Sequence, residues 1–402
     1  MELGSLDEES LLSRAKKFIF STGVNDIASR LCRANTAYGL AKLHLTQEEY
    51  GLEPSATFIS TPDETITRNI DRWQNGVGYG GKISWGGGSE KFIFLDAKPN
   101  ACGMLVGGLR EAPSPELILK RLDALNSKEL EIEGVPVEWD FNTGNHFIDI
   151  FKVSAIADKD LPEYAFIIHS SAPELKGETS KGMGLYYNQS NIIEGNMKIV
   201  ETPFGESRIL LGDAAKEYYE FYKFSKRFSE KRRLLAAREL FEEFEVISNK
   251  THQGLLNLNE VVLGCYHLDE DGCELYPITL RPDLPSYLVE GQKSFSEEIL
   301  EHLGFSNRAR SLGVLDRLLS FNGFPHGGGY TFPDMVSVRR VITIGGRRYF
   351  IVELQSELGL KVFSNPRELQ FIYRGRQVVI NSIELGLIKL QAKLIPEYVL
   401  KV

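Results

Sequence analysis

Two stretches, HFIDIFKVSAIAD (residues 146–158) and EYAFIIHSS (residues 163–171), decide the class of fold. Both are short, rich in Phe, Ile and Val, and apolar enough to predict strands buried on both faces. Just upstream, KFIFLDAKPNACGMLVGGL (91–109) predicts a buried strand, a proline-containing loop and a second apolar strand. Before it, VGYGGKISWGGG (77–88) is too dense in glycine for a helix and reads as turns between short strands. Far downstream, RRVITIGGRRYFIVEL (339–354) predicts a hairpin turning at Gly345-Gly346, and RQVVINSIELGL (376–387) passes from strand toward helix.

Helical signals frame these strands. Ser5 with Glu8 forms a capping-box pattern ahead of Leu11, Leu12, Ala15 and Phe18. Residues 207–246 carry aromatics on one side and charges on the other, which predicts a long helical stretch with a break near Ser229. No repeat, low-complexity tract or linker interrupts the chain. The expectation is an α+β protein in which residues 1–402 form a single body, with an N-terminal helical segment over 1–50 and a core over 51–402.

Composition narrows the function classes. The chain has 402 residues, of which 42% are hydrophobic and 25% charged, ample for a large core. A formal net charge of −9 supplies no global attraction to nucleic acid, so any RNA contact needs a local basic groove. Candidates for such a groove are Lys226, Arg227, Arg339, Arg340, Arg374 and Arg376. Cys32, Cys102, Cys265 and Cys273 are too sparse for a disulfide scaffold. No apolar run approaches the roughly 20 residues that cross a bilayer. The acidic start MELGSLDEES lacks a signal-peptide pattern. A reduced, cytoplasmic protein with no membrane or disulfide partner is expected.

Against this background four positions stand out at the ends of apolar strands: Cys102 in NACGM, His146 in GNHFID, His169 in FIIHSS and His252 in NKTHQG. A buried thiol or imidazole needs a partner, and a transition metal supplies one. Singly, each is more often a satisfied core residue. His326 in GFPHGGGYTF differs, because three glycines follow it. They leave backbone amides free to approach a phosphate while the imidazole stays exposed, although a plain flexible turn has the same pattern.

The order of these pieces resembles one family. NACGM is similar to an Asp-x-x-Cys-Gly motif, TGNHFIDI to Gly-Asn-His-Phe-(Ile/Leu)-Glu, and IIHSS to the start of His-Ser-Gly-Ser-Arg. SNKTHQGL stands where a His-Asn motif falls, PHGGGY where His-Gly-Ala-Gly-Arg falls, and the closing FIYRGRQVVINSIELGLIKLQAKLIPEYVLKV resembles an Ala-Tyr-Lys segment and a final Gly-Val-Val-Lys-Gly. From about Val77 onward the chain resembles the RtcB family, the GTP- and manganese-dependent RNA-splicing ligases.

That resemblance implies mixed sheets around a central metal and nucleotide pocket. It makes Cys102, His146, His169 and His252 metal ligands for one or two manganese ions, with the sulfur able to bridge two. Asn145 would contact the nucleotide phosphate, Asp149 would take the place of a glutamate facing guanine, and Tyr373 and Lys401 would line the guanine pocket. His326, backed by Gly327 and Gly328, would accept GMP from GTP and pass it to an RNA 3′-phosphate for joining to a 5′-hydroxyl. The chain also departs from the pattern. Pro99 stands where the family has aspartate, with Asp96 or Asn100 as the nearby substitutes. Tyr330 replaces the arginine after the nucleophile, SSAPEL loses a second arginine, and Gln253 follows His252 where asparagine is expected. These losses keep open a metal-dependent nucleotidyltransferase or phosphoesterase acting on another phosphate, and a non-catalytic metal- or nucleotide-binding paralogue.

Overall fold

The computed structural model describes residues 2–268, 274–293, 295–355 and 359–401, so Cys273 lies outside the described residues. Its centre is a sheet of eleven strands, numbered here in chain order within that sheet. They are β1 (Ile19–Phe20), β2 (Thr57–Thr65), β3 (Tyr79–Ser84), β4 (Cys102–Leu109), β5 (Phe147–Ala155) and β6 (Tyr164–Ser170). The remainder are β7 (Glu245–Asn257), β8 (Glu260–Leu263), β9 (Leu275–Ile278), β10 (Ser286–Gly291) and β11 (Ile388–Leu400). Their spatial order is β1-β2-β3-β8-β7-β4-β6-β5-β11-β10-β9. Only the β1–β2 pair is parallel, so the sheet is mixed.

The two stretches that open the sequence argument become β5 and β6, paired antiparallel with Phe147 opposite His169. Strand β6 is buried almost throughout, as its apolar run requires, whereas β5 is buried only to Phe151 and then emerges. The hairpin of Met335–Ile344 with Arg347–Leu354 turns at Gly345-Gly346, both at positive φ.

Four local expectations are corrected. The first α-helix, Glu8–Lys16, is capped by Asp7, whose carboxylate accepts from the Ser10 N–H; Ser5 ends a short 3₁₀ turn instead. Residues 207–246 begin with a strand, Ser207–Leu211, and continue as one unbroken helix, Gly212–Leu240. Ser229 does not break that helix because its hydroxyl is buried and donates to the Ala101 carbonyl at 2.9 Å. The glycine-rich segment includes a continuous six-residue strand, β3, because its glycines allow backbone-close packing: a Cβ on Gly81 would lie 2.4 Å from the Ile59 carbonyl oxygen. Finally, Gln377–Glu384 is helical from its start, with Val378 and Val379 buried on its inner side.

The Arg374 side chain is the principal clamp near the centre. It is buried, forms a two-pronged contact with Asp26 at 2.6 and 2.7 Å, and donates to the Glu64 carbonyl at 2.8 Å. Its own backbone also packs against the glycine run: a Cβ on Gly328 would meet the Arg374 carbonyl oxygen at 2.6 Å, and one on Gly329 would meet the Asp63 oxygen at 2.4 Å. These glycines are therefore needed for close packing on β2, and the Gly328 N–H is already spent on the Thr279 carbonyl at 2.9 Å. Arg374→Ala is expected to destabilise the chain by about 3–5 kcal/mol, since it strands polar groups of a buried pair. Arg376→Ala, on an exposed side chain, should change stability by less than about 0.5 kcal/mol. Urea unfolding midpoints of the two variants compare them directly.

Candidate functional site

Sheet register builds the centre. Strands β7, β4, β6 and β5 are consecutive neighbours, and each brings a thiol or imidazole to the same end. Cys102 is the first residue of β4, His169 lies near the end of β6, and His146 immediately precedes β5. His252 sits where the β7–β4 pairing slips, between Thr251 opposite Gly103 and Gln253 opposite Cys102. An extra residue in one strand re-aims its side chain, which is how a bulge turns His252 toward the cysteine. The turn before Cys102 is fixed by Ala101 at φ 54, whose carbonyl is held by Ser229 from the long helix.

The distances are short and specific. Cys102 Sγ lies 3.2 Å from His169 Nε2 and 3.4 Å from His146 Nε2, and His169 Nε2 lies 3.3 Å from His252 Nε2. Cys102, His169 and His252 form the one compact group of metal-ligand type among the described residues, with His146 in contact with the sulfur but outside it. Ligands at ~2.0–2.3 Å around a tetrahedral ion are separated by about 3.3–3.8 Å, so these spacings fit a metal with little adjustment.

Surrounding groups fix the rings. His169 Nδ1 donates to the Asn145 carbonyl at 3.1 Å, which leaves its Nε2 lone pair turned to the centre. Burial holds His169 and His252 well below the ordinary histidine range, with neighbouring imidazoles adding to the effect, so both stay neutral and able to ligate. For His146 burial acts in the same direction, but the Cys102 sulfur and the Asp140 carboxylate outweigh it and hold the imidazole above its usual value. Asp140 lies 3.0 Å from His146 Nδ1 and is itself paired with the fully buried Arg232 at 3.0 Å. Burial would raise its carboxyl, yet His146 and Arg232 hold it below the ordinary range. Arg232 continues to Glu174 at 2.9 Å.

His326 packs beside this group, its ring centroid 4.4 Å from that of His252. The imidazole is buried, contrary to the expectation of an exposed loop histidine, because the glycine run seats it against β2. Its Nδ1 lies 2.9 Å from Asp63 Oδ2, in β2, and Asp63 also accepts from the Thr61 hydroxyl. With Nδ1–H engaged by a carboxylate, Nε2 carries the free lone pair.

A pocket opens from these residues. His146, His169, His326, Gly327 and Gly328 line it together with Asn145, Asp149, Tyr373 and Lys401. All the nucleotide-side positions singled out in the sequence thus share one cavity. Phe147, Asp149 and Phe151, alternating along β5, border it together, opposite the loop that carries Leu280 and Leu284. Lys401 is exposed, and its ammonium donates to the Gly144 carbonyl. Tyr330 packs on Tyr373 with ring centroids 5.2 Å apart and on Phe371 at 4.6 Å.

Three functional candidates escaped the sequence reading. Asp63 lies in TFISTPDET, which has no strand alternation, and only its complete burial in β2 reveals that it needs a partner. Asp140 and Arg232 are far apart in sequence and carry no motif. The proposed basic groove is not assembled: none of the six candidate cations lines the pocket, and Arg374 is consumed by its clamp. Arg339 is paired with Glu353 on the outlying hairpin. No protein-family model matches this sequence, and no curated protein matches it either.

Asp149 gives the pocket a measurable pH signature. Its Oδ1 is buried without a hydrogen-bond partner among the described residues, and burial pushes its carboxyl up to about 8 from 3.8. The unfolded chain loses this proton near pH 4, whereas the folded chain keeps it until about pH 8. The native state therefore binds more protons in that window, and stability falls as pH rises through it. Asp149→Asn should match the parent's Tm near pH 4 and exceed it by several degrees at pH 8, as read by thermal melts across that range.

Proposed function

We propose that the chain is a metal-dependent nucleotidyltransferase in which His326 accepts a nucleotide from a nucleoside triphosphate, GTP in the family that the sequence resembles. The observation that carries this reading is the Asp63–His326 pair beside the Cys102, His169 and His252 group. An imidazole anchored through Nδ1 on a buried carboxylate presents Nε2 as a nucleophile, and the carboxylate stabilises the positive charge that develops as it attacks. A bond forms between Nε2 and the α-phosphorus, the bond to the β-phosphate oxygen breaks, and pyrophosphate leaves. A metal ion held by Cys102, His169 and His252 would supply charge neutralisation at the phosphates. Their spacing and donor types fit one, as does the neutrality of the His169 and His252 imidazoles. The apolar wall of Phe147 and Phe151 suits a nucleobase, with Asp149 and Lys401 as its polar contacts.

In the RtcB-like reading the nucleotide then passes to an RNA 3′-phosphate, which a 5′-hydroxyl attacks to join the strands. A second acceptor, a small phosphate-bearing molecule, is favoured because none of the six candidate groove cations lines the pocket, where Arg281 and Lys401 are the cationic side chains. RNA phosphates are gripped by arginine and lysine, and here Tyr330 lines the pocket in place of an arginine while Arg374 is held by Asp26.

The test is covalent labelling with α-labelled GTP, with manganese or zinc supplied. The parent should form an acid-labile adduct. His326→Ala should lose it entirely, and Asp63→Asn should reduce its rate by about 10²–10⁴-fold, on the scale of a lost acid–base partner. Full labelling of His326→Ala would overturn the reading. RNA with defined ends, added after labelling, separates the two acceptors.

A further inference from the structure

The donors around Cys102 can be accounted for one by one, and the account bears on how many ions the centre holds. The resemblance allows two manganese ions bridged by the cysteine, the second of which requires a carboxylate where this chain has Pro99. Neither nearby substitute is offered. Asp96 is wholly buried, 2.7 Å from the Lys42 ammonium, with Arg208 on its other oxygen at 3.4 Å. Asn100 Oδ1 accepts the backbone N–H of Cys102 at 3.1 Å. Asp140 is engaged by His146, Arg232 and the Ser171 hydroxyl at 2.9 Å. Asp63 is held by His326 and Thr61. With His326 Nε2 reserved as the nucleophile of the proposed function, a second ion would find Cys102 and His146, fewer than the three protein donors that transition-metal sites ordinarily use, and no second group of three metal-ligating side chains lies among the described residues.

We propose that the centre binds a single ion, through Cys102, His169 and His252, and that it selects zinc over manganese. His146, tied to Asp140, supports the sulfur from outside the coordination sphere. This deepens the metal part of the proposed function. Two ligands of one ion at ~2.0–2.3 Å cannot stand more than about 4.6 Å apart. Cys102–His169 and His169–His252 stand at 3.2 and 3.3 Å, and all three donors lie within 4.8 Å of one another, a group that does not include His146. One sulfur and two imidazoles, with no carboxylate, form a borderline-soft set. Such a set suits zinc, whereas manganese stands lowest in the affinity order and favours oxygen donors. Three protein ligands leave a fourth position for water or substrate, as in catalytic zinc sites.

The experiment uses the full chain produced with both metals present, followed by elemental analysis. One zinc per chain and a trace of manganese are expected. Stripped protein titrated with Co²⁺ should develop its sulfur-to-cobalt absorption up to one equivalent and then stop. Cys102→Ser and His252→Ala should lose the bound ion, whereas His146→Ala should retain one equivalent. Two equivalents in the parent, manganese as the resident ion, or loss of the ion in His146→Ala would each overturn the proposal. If His252→Ala fails to fold, the parent titration and Cys102→Ser decide the matter. Failure here is distinct from failure of the enzyme reading: a labelled chain with two ions sinks only this inference, and an unlabelled chain with one zinc sinks only the other.

Discussion

A sulfur and three imidazoles meeting in a nearly dry interior is the constraint on which the rest of this structure depends. Such groups lose water on folding and regain it from nothing apolar, so each must be met by a partner. The protein answers with layers of fixation. Ring nitrogens facing outward are pinned by the Asn145 carbonyl and the Asp140 carboxylate, and that carboxylate is pinned by Arg232. The nitrogens facing inward are then left in one place, within ligand–ligand distance of each other. His252 Nδ1 is buried with no hydrogen-bond partner among the described residues, so this scheme leaves it unsatisfied there.

The long helix Gly212–Leu240 does part of this work from a distance. Ser229 fixes the turn ahead of Cys102, and Arg232, three residues later, reaches Asp140 and the Ser171 carbonyl at 2.9 Å. Three residues along a helix place both side chains on the same face. One helical face therefore sets the cysteine and one of the histidines together. A break at Ser229 would have separated them, which gives a physical reason for the helix to run through.

How much of this was legible in the sequence follows from how local each determinant is. The strands around His146 and His169, and the Gly345-Gly346 hairpin, are written in contiguous apolar runs and turn residues, and they read correctly as elements, although the strand after His146 is buried only to Phe151. The convergence of Cys102, His169 and His252 is not local; it was reached through motif order, and the register of β7, β4 and β6 brings it about. Asp63 was invisible because its strand, TFISTPDET, is polar by composition and buried by topology. The glycines after His326 have a packing role that the sequence did not show. Their sequence suggests open amides for a phosphate, and close approach of the Arg374 and Asp63 backbones also excludes a side chain at Gly328 and Gly329. Basic residues misled for the converse reason, since charge counted along a chain says nothing about whether an arginine is already spent on an internal clamp.

The position of β11 has a consequence for how the chain is made. It is the last strand of the large sheet in sequence, yet it lies inside the sheet, bonded to β5 on one side and β10 on the other. Until it docks, β5 and β10 each present an open edge of unpaired N–H and C=O groups, the surface on which nascent chains stick to one another. The β5–β11 pairing closes a loop of more than two hundred residues, from Ile148 to Leu400, a separation that slows folding because so much chain entropy is lost before the contact forms. An incomplete chain thus exposes first the β5 edge and, once residues 286–291 are made, the β10 edge as well, so the last strand to be made is the one that seals both.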